Sequence, residues 1–165
     1  MLPSSLAELD EVKRRCRSMV TRRASLSAGV AVVPVPGLDI GTDVMILMRL
    51  LPKINREFGL SPEQIAELDA ETKKIVMVLA SAAGSELIGR IISKELVVKV
   101  LKKFGMRIAT GTVSKVIPVV GQALSASISF GAMKMLGNAH IEDCYLVARR
   151  ALEAAEEGFV IEMPK

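Results

Sequence analysis

The sequence predicts an all-α fold, a helical bundle of about six to seven helices with two apolar hairpins. Three observations carry that expectation. Strong helix formers dominate and strand-like alternation is scarce. The apolar mass is aliphatic: half of the 165 residues are hydrophobic, nine are Met, and only four Phe and one Tyr are aromatic. Finally, two apolar stretches carry the same punctuation, Val32-Val33-Pro34-Val35-Pro36-Gly37 and Val116-Ile117-Pro118-Val119-Val120-Gly121. Proline removes a backbone donor and clashes with the preceding turn, while glycine permits a sharp reversal. Pro34, Pro36, Gly37, Pro118 and Gly121 are therefore the expected hairpin bends.

The elements follow in order. From about Ser5 to Arg23, Leu6, Leu9, Val12, Cys16, Met19 and Val20 recur at three- and four-residue steps, which predicts an amphipathic helix. Ala24 to Val33 is uncharged and runs into the first bend. Ile40 to Ile54 is apolar nearly all round, with Val44, Leu47, Met48 and Leu51 on one stripe and Met45, Ile46 and Leu50 off it. Such a helix is buried deeply or faces lipid. Phe58-Gly59-Leu60 ends it. Ser61 then offers an N-cap, Pro62 suits the first helical position, and Gln64 completes a capping box. That helix is expected to run through Ile65, Leu68, Ile75, Val78 and Leu79, weakening near Ala82-Ala83-Gly84. A further helix is expected from about Glu86 to Lys103, and a last one from Ile141 to Glu157, ending at Gly158.

Length suits one domain with a real core. We expect a basic amphipathic helix over residues 1–23, an apolar helical core over 24–157 and a tail over 158–165. Val116 to Met133 contains 18 consecutive uncharged residues, the threshold for a membrane span. Pro118, Gly121 and the polar Gln122, Ser125, Ser127 and Ser129 disfavour a straight span. A protein core and a bilayer-inserted hairpin both fit this stretch.

The formal charge is +4, and Lys13, Arg14, Arg15, Arg17, Arg22 and Arg23 fall within eleven residues. A basic cluster beside an apolar segment suits an anionic lipid surface, at about 1 kcal/mol per basic residue, or equally a solvated helix face. Nucleic acid is not expected, because no aromatic side chains interleave for base stacking. Thr21-Arg22-Arg23-Ala24-Ser25-Leu26 superficially resembles a twin-arginine export signal. Two prolines and Asp39 interrupt the apolar run, and no small-x-small site closes it, so export is not expected. Two cysteines imply neither a disulfide framework nor a zinc module, which makes a reducing cytoplasm the expected compartment.

Little catalytic chemistry is legible. No Gly-x-x-x-x-Gly-Lys-Ser/Thr loop occurs in the sequence, so these residues are not expected to hydrolyse nucleotide. His140 and Cys144 stand four apart with Asp143 beside them, which is half a zinc site, and no second His completes it. The same pair lacks a legible orienting partner for nucleophilic work. Asp39 and Asp43 lie one turn apart near a helix start, where the backbone dipole favours carboxylates. No catalytic residue, cofactor or metal is expected.

At Pro34-Val35-Pro36-Gly37-Leu38-Asp39-Ile40-Gly41-Thr42-Asp43 the sequence resembles the helical, C-terminal domain of immunity-related GTPases. The likeness continues to Phe58-Gly59-Leu60 and resumes at Ile117-Pro118-Val119-Val120-Gly121. It extends through Ser127-Ile128-Ser129-Phe130 into the final helix with Cys144, covering roughly residues 20 to 152. Asp43 matches the single acidic position after the Pro-Gly bend. A bacterial group of apolar helical domains, often fused to or encoded near GTPases, looks similar at the same bends. The resemblance implies a helical bundle beside a GTPase domain, membrane contact and self-association, while no GTPase domain is present in this sequence. The expected role is non-enzymatic: contact with anionic membrane lipid, peripheral or through an inserted hairpin, or docking to a GTPase-domain protein, with homo-oligomerisation open. A soluble regulator of a separately encoded GTPase and a membrane-perturbing helical protein are the alternatives.

Overall fold

A computed structural model describes the backbone of residues 1–30, 38–101 and 121–157, and the side chains of 1–25, 44–101, 131 and 133–156. The architecture of these residues is all-helical, with no strand among them. In chain order the helices are α1 (Leu6–Val30), α2 (Leu38–Glu57), α3 (Pro62–Ala66) and α4 (Ala70–Ala82). A helical stretch over residues 94–101, α5, comes next. The last is α6 (Gly121–Glu157). Among the described residues the count thus falls at the lower edge of the six to seven expected.

The local caps explain where the helices stop. α2 ends in a Schellman arrangement: Gly59 takes φ +72°, its N–H donates to Arg56 O at 3.2 Å, and the Leu60 N–H donates to Asn55 O at 2.8 Å. These bonds satisfy carbonyls that the helix end would otherwise orphan. A Cβ on Gly59 would collide with the backbone of Met1 and Leu2, so glycine is needed there twice over. Ser61 then caps α3 as expected, its hydroxyl accepting from the Gln64 N–H while the Gln64 side chain accepts from the Ser61 N–H.

Several boundaries differ from the sequence expectation. The helix opened by Ser61 stops after Ala66 instead of running to Leu79, because Asp69 starts a new helix by accepting from the Glu71 and Thr72 amides at 3.1 and 2.9 Å. The hydrophobic spacing conceals this break, since Ile65 and Ile75 are buried on either side of it. α4 closes at a second Schellman turn through Gly84, with Ser85 N–H donating to Ala80 O. The helix expected from Glu86 does not begin until residue 94, where the Ser93 hydroxyl accepts from the Leu96 amide at 3.3 Å. Leu87 and Ile88 are buried as anchors of a non-helical turn, not as a helical face. The last helix starts at Gly121 and not at Ile141, running 37 residues without interruption. α1 likewise continues past Arg23 to Val30 as one helix.

The described chain forms two compact units. One comprises residues 1–16, 52–91 and 140–157, the other 17–30, 38–51, 92–101 and 121–139. In the first, Leu9, Val12, Ile54, Phe58, Leu60, Val76, Ile141 and Val147 are fully or nearly fully buried. In the second, Val20, Leu47, Leu50, Leu51, Met133 and Leu136 form the core. Here Gly137 lets α6 approach α1 closely, since a Cβ at that position would stand only 2.8 Å from Val20 Cγ1. The α2 helix, expected to be apolar nearly all round, leaves Met45 exposed.

Candidate functional site

The chemistry-bearing residues of the first unit converge on Asn55. The last turns of α2 present this side chain inward, and α6 brings His140 and Cys144 to it from one face, as their four-residue spacing requires. The Asn55 Nδ2 donates to the Leu87 carbonyl at 2.8 Å. That bond fixes the amide orientation, so Oδ1 faces His140 Nε2 at 2.9 Å and receives its proton. The Cys144 thiol donates to the same Oδ1 at 3.5 Å and lies 3.7 Å from His140 Nε2. All three residues are sealed from solvent.

A cysteine, a histidine and an asparagine together have the composition of a nucleophilic triad, yet the electrostatics oppose that chemistry. Burial lowers the His140 pKa to about 4, leaving a neutral imidazole. Burial, then the fields of Asp143 and Cys16, pushes the Cys144 thiol well above its ordinary value. The reactive form of a cysteine is the thiolate, and this environment suppresses it. The nearer ring nitrogen is not placed to take the thiol proton, because Nε2 already donates to Asn55. Cys16, also buried, is pushed up to about 12 by burial and then Glu57, against the opposing Arg15 and Lys53. Asp143 is half-buried with a raised pKa, through burial and then Glu142, and makes no part of the Asn55 cluster. No group of three or more His, Cys, Asp or Glu gathers to hold a metal among the described residues.

What this cluster does is positional. Through Asn55 it holds Leu87, and the neighbouring Gly89 N–H donates to Leu60 O at 3.2 Å. The turn over residues 85–91 is thereby pinned to the interior of its unit.

The six basic residues of α1 fall into different environments. Lys13 pairs with Glu142 at 2.7 Å and stacks over the Tyr145 ring at 4.0 Å. Tyr145 in turn donates to Asp10 at 2.7 Å. Arg15 lies near Glu57 at 3.6 Å and Glu11 at 3.9 Å. Arg14, Arg17 and Arg22 are exposed, and Arg23 is partly so. Of the expected bends, Pro34, Pro36, Gly37 and Pro118 lie outside the described residues, while Gly121 opens α6. Asp39 and Asp43 fall in the first two turns of α2, and their side chains lie outside the described ones. Val116 to Val120 are likewise outside the description. Among the described residues, no helix is long and apolar enough to cross a membrane.

No family model and no solved structure matches the chain. Curated relatives do. The chain is 33% identical over 160 residues to interferon-inducible GTPase 5 of Bos taurus and 32% identical over 159 residues to that of Rattus norvegicus. These matches take in 93% and 92% of this chain but 34% of either relative, so the chain spans about a third of the length of the curated relatives it matches. The likeness to immunity-related GTPases read from the Pro-Gly bend and the Phe-Gly-Leu stop therefore extends over nearly the whole chain, as likeness to one segment of such a GTPase.

Proposed function

We propose that these 165 residues form a non-catalytic helical module that works beside a GTPase domain, carried in the same protein or supplied by another. The observation that carries this reading is the nearly full-length likeness to one segment of a GTPase in a sequence without a phosphate-binding loop. The inert Asn55–His140–Cys144 cluster supports it, because the most chemically promising residues are used for packing. The test is a chimera in which this chain replaces the matched third of the bovine relative. It is expected to purify soluble and to bind a fluorescent GTP analogue as the parent protein does. An aggregated chimera, or one that has lost nucleotide binding, overturns the reading.

A second role is favoured by the α1 cations. Arg14 and Arg22 are exposed and form no ion pair among the described residues, which suits contact with anionic headgroups. Lys13 and Arg15 already face carboxylates, so they contribute less. Reversing Arg14 and Arg22 to Glu should remove most α1-dependent flotation on phosphatidylglycerol vesicles, whereas Lys13→Glu should remove little. Equal effects from the two sets would contradict this ordering.

A further inference from the structure

In Thr21-Arg22-Arg23-Ala24-Ser25-Leu26, two arginines precede a serine by three and two residues. No acidic residue occurs in the chain between Glu11 and Asp39. On α1, Arg22 and Ser25 are exposed and Arg23 is partly so. Arg22 and Arg23 form no ion pair among the described residues. Both guanidinium groups are therefore open to carboxylates of another protein, unlike Arg15, which already lies near Glu57 and Glu11.

An enzyme that modifies a serine takes the surrounding chain extended, so the helix has to open around Ser25. This end of α1 is built to open at low cost. The Thr21 and Ser25 hydroxyls donate back to the Arg17 and Thr21 carbonyls, both at 3.0 Å, a pattern that weakens helical backbone bonding. The last turn of α1, which ends at Val30, holds no basic residue to oppose the helix dipole. Among residues 21–25 only Ala24 is buried, so opening this stretch takes a single methyl group out of the interior. Local openings at helix ends cost far less than global unfolding. Ser18 is also exposed and follows Arg14, Arg15 and Arg17, but it stands between Cys16 and Val20, both wholly buried. Extending the chain at Ser18 would pull two core side chains out.

We propose that Ser25 is a phosphorylation site for a serine/threonine kinase with an acidic substrate cleft. Arg22 and Arg23 pair with carboxylates of that cleft, which seats the Ser25 hydroxyl at the nucleotide. Its Oγ attacks the γ-phosphorus of ATP and forms the new O–P bond. The bond from that phosphorus to the β–γ bridging oxygen breaks, ADP leaves, and the hydroxyl proton passes to a carboxylate base of the kinase. Once esterified, Oγ no longer donates to Thr21 O. The phosphate carries about −1.5 to −2 charges, which offsets Arg22 and Arg23 and cancels the positive charge of this end of α1. The site does not depend on the GTPase-module reading.

The test incubates the folded full chain with radiolabelled ATP and an arginine-directed kinase, the catalytic subunit of cyclic-AMP-dependent protein kinase. Label should enter the chain and map to Ser25 by mass spectrometry. Ser25→Ala should abolish it and Ser18→Ala should leave it unchanged. Arg22→Gln and Arg23→Gln should each lower kcat/KM about tenfold, the worth of one charge-assisted pair. Thermal melts confirm that these surface variants fold. A synthetic peptide of residues 20–28 serves as the extended reference. Label on the peptide with none on the folded chain means that α1 withholds the serine, and overturns the proposal. Label on Ser18 or any other residue in place of Ser25 overturns the assignment, and unchanged kinetics in both arginine variants overturn the role given to Arg22 and Arg23.

Discussion

Asn55, His140 and Cys144 are sealed inside the unit built from residues 1–16, 52–91 and 140–157, whereas Ile91 of the same unit stands 83% exposed. One region buries groups that could react, and the other displays side chains that could be buried. Buried polar groups must be hydrogen-bonded to avoid a desolvation cost, and Asn55 meets that demand with three partners. The aliphatic groups of Ile91, Met77 and Val78 remain open to water. Residue type alone is therefore a poor guide to function in this protein. The histidine and cysteine serve here as buried hydrogen-bonding groups around Asn55, while isoleucine and methionine side chains stand at the surface.

Asn55→Ala should give the largest effect on stability. It leaves the Leu87 carbonyl and the His140 N–H buried without partners, a loss of about 3–5 kcal/mol, read from the urea midpoint. If the variant stays within about 1 kcal/mol of the parent, the cluster does not hold the 85–91 turn. A comparable effect should appear as pH falls. His140 ordinarily titrates near 6.5 and in the fold near 4, so the unfolded chain takes up the proton first. Stability that is intact above about pH 6.5 is lost progressively down to about pH 4, by about 3 kcal/mol in all. His140→Gln should flatten that profile while keeping an N–H for Asn55; an unchanged slope would place the acid sensitivity elsewhere.

Smaller effects test the boundary between interior and surface. Ser61→Ala removes the α3 cap and should cost about 1 kcal/mol, visible as a lowered melting temperature. Gln64→Ala should reproduce part of it, and no change in either would mean that the capping box is idle. At the surface, Ile91→Ser should alter stability by less than about 0.5 kcal/mol, read from the melting temperature. A large loss of stability from that substitution would show that Ile91 is packed.

Some of this is legible in the sequence, and the rest is hidden for definable reasons. The Ser61-Pro62-Glu63-Gln64 cap and the Phe58-Gly59-Leu60 stop are readable because their bonds close within a few residues. The Asp69 restart is obscured by hydrophobic spacing that continues across the break between Ile65 and Ile75. The helix expected from Glu86 gives way to a turn because apolar periodicity cannot distinguish a helical face from anchors such as Leu87 and Ile88. His140 and Cys144 are readable as a pair at one helical turn. Their partner is not, because Asn55 lies 85 residues away from His140 and 32 from Leu87.

Composition, short-range bonds and motif order were enough for the helical class, the Ser61 cap, the Gly59 stop and the likeness to an immunity-related GTPase segment, since none of these requires knowledge of packing. Only the tertiary structure decided which polar groups are locked inside and which cations of α1 already face carboxylates. It alone placed Ile91 on the outside. Those outcomes depend on contacts between residues distant in the chain, and on burial, which shifts the chemistry of a histidine or a thiol without changing a letter of the sequence.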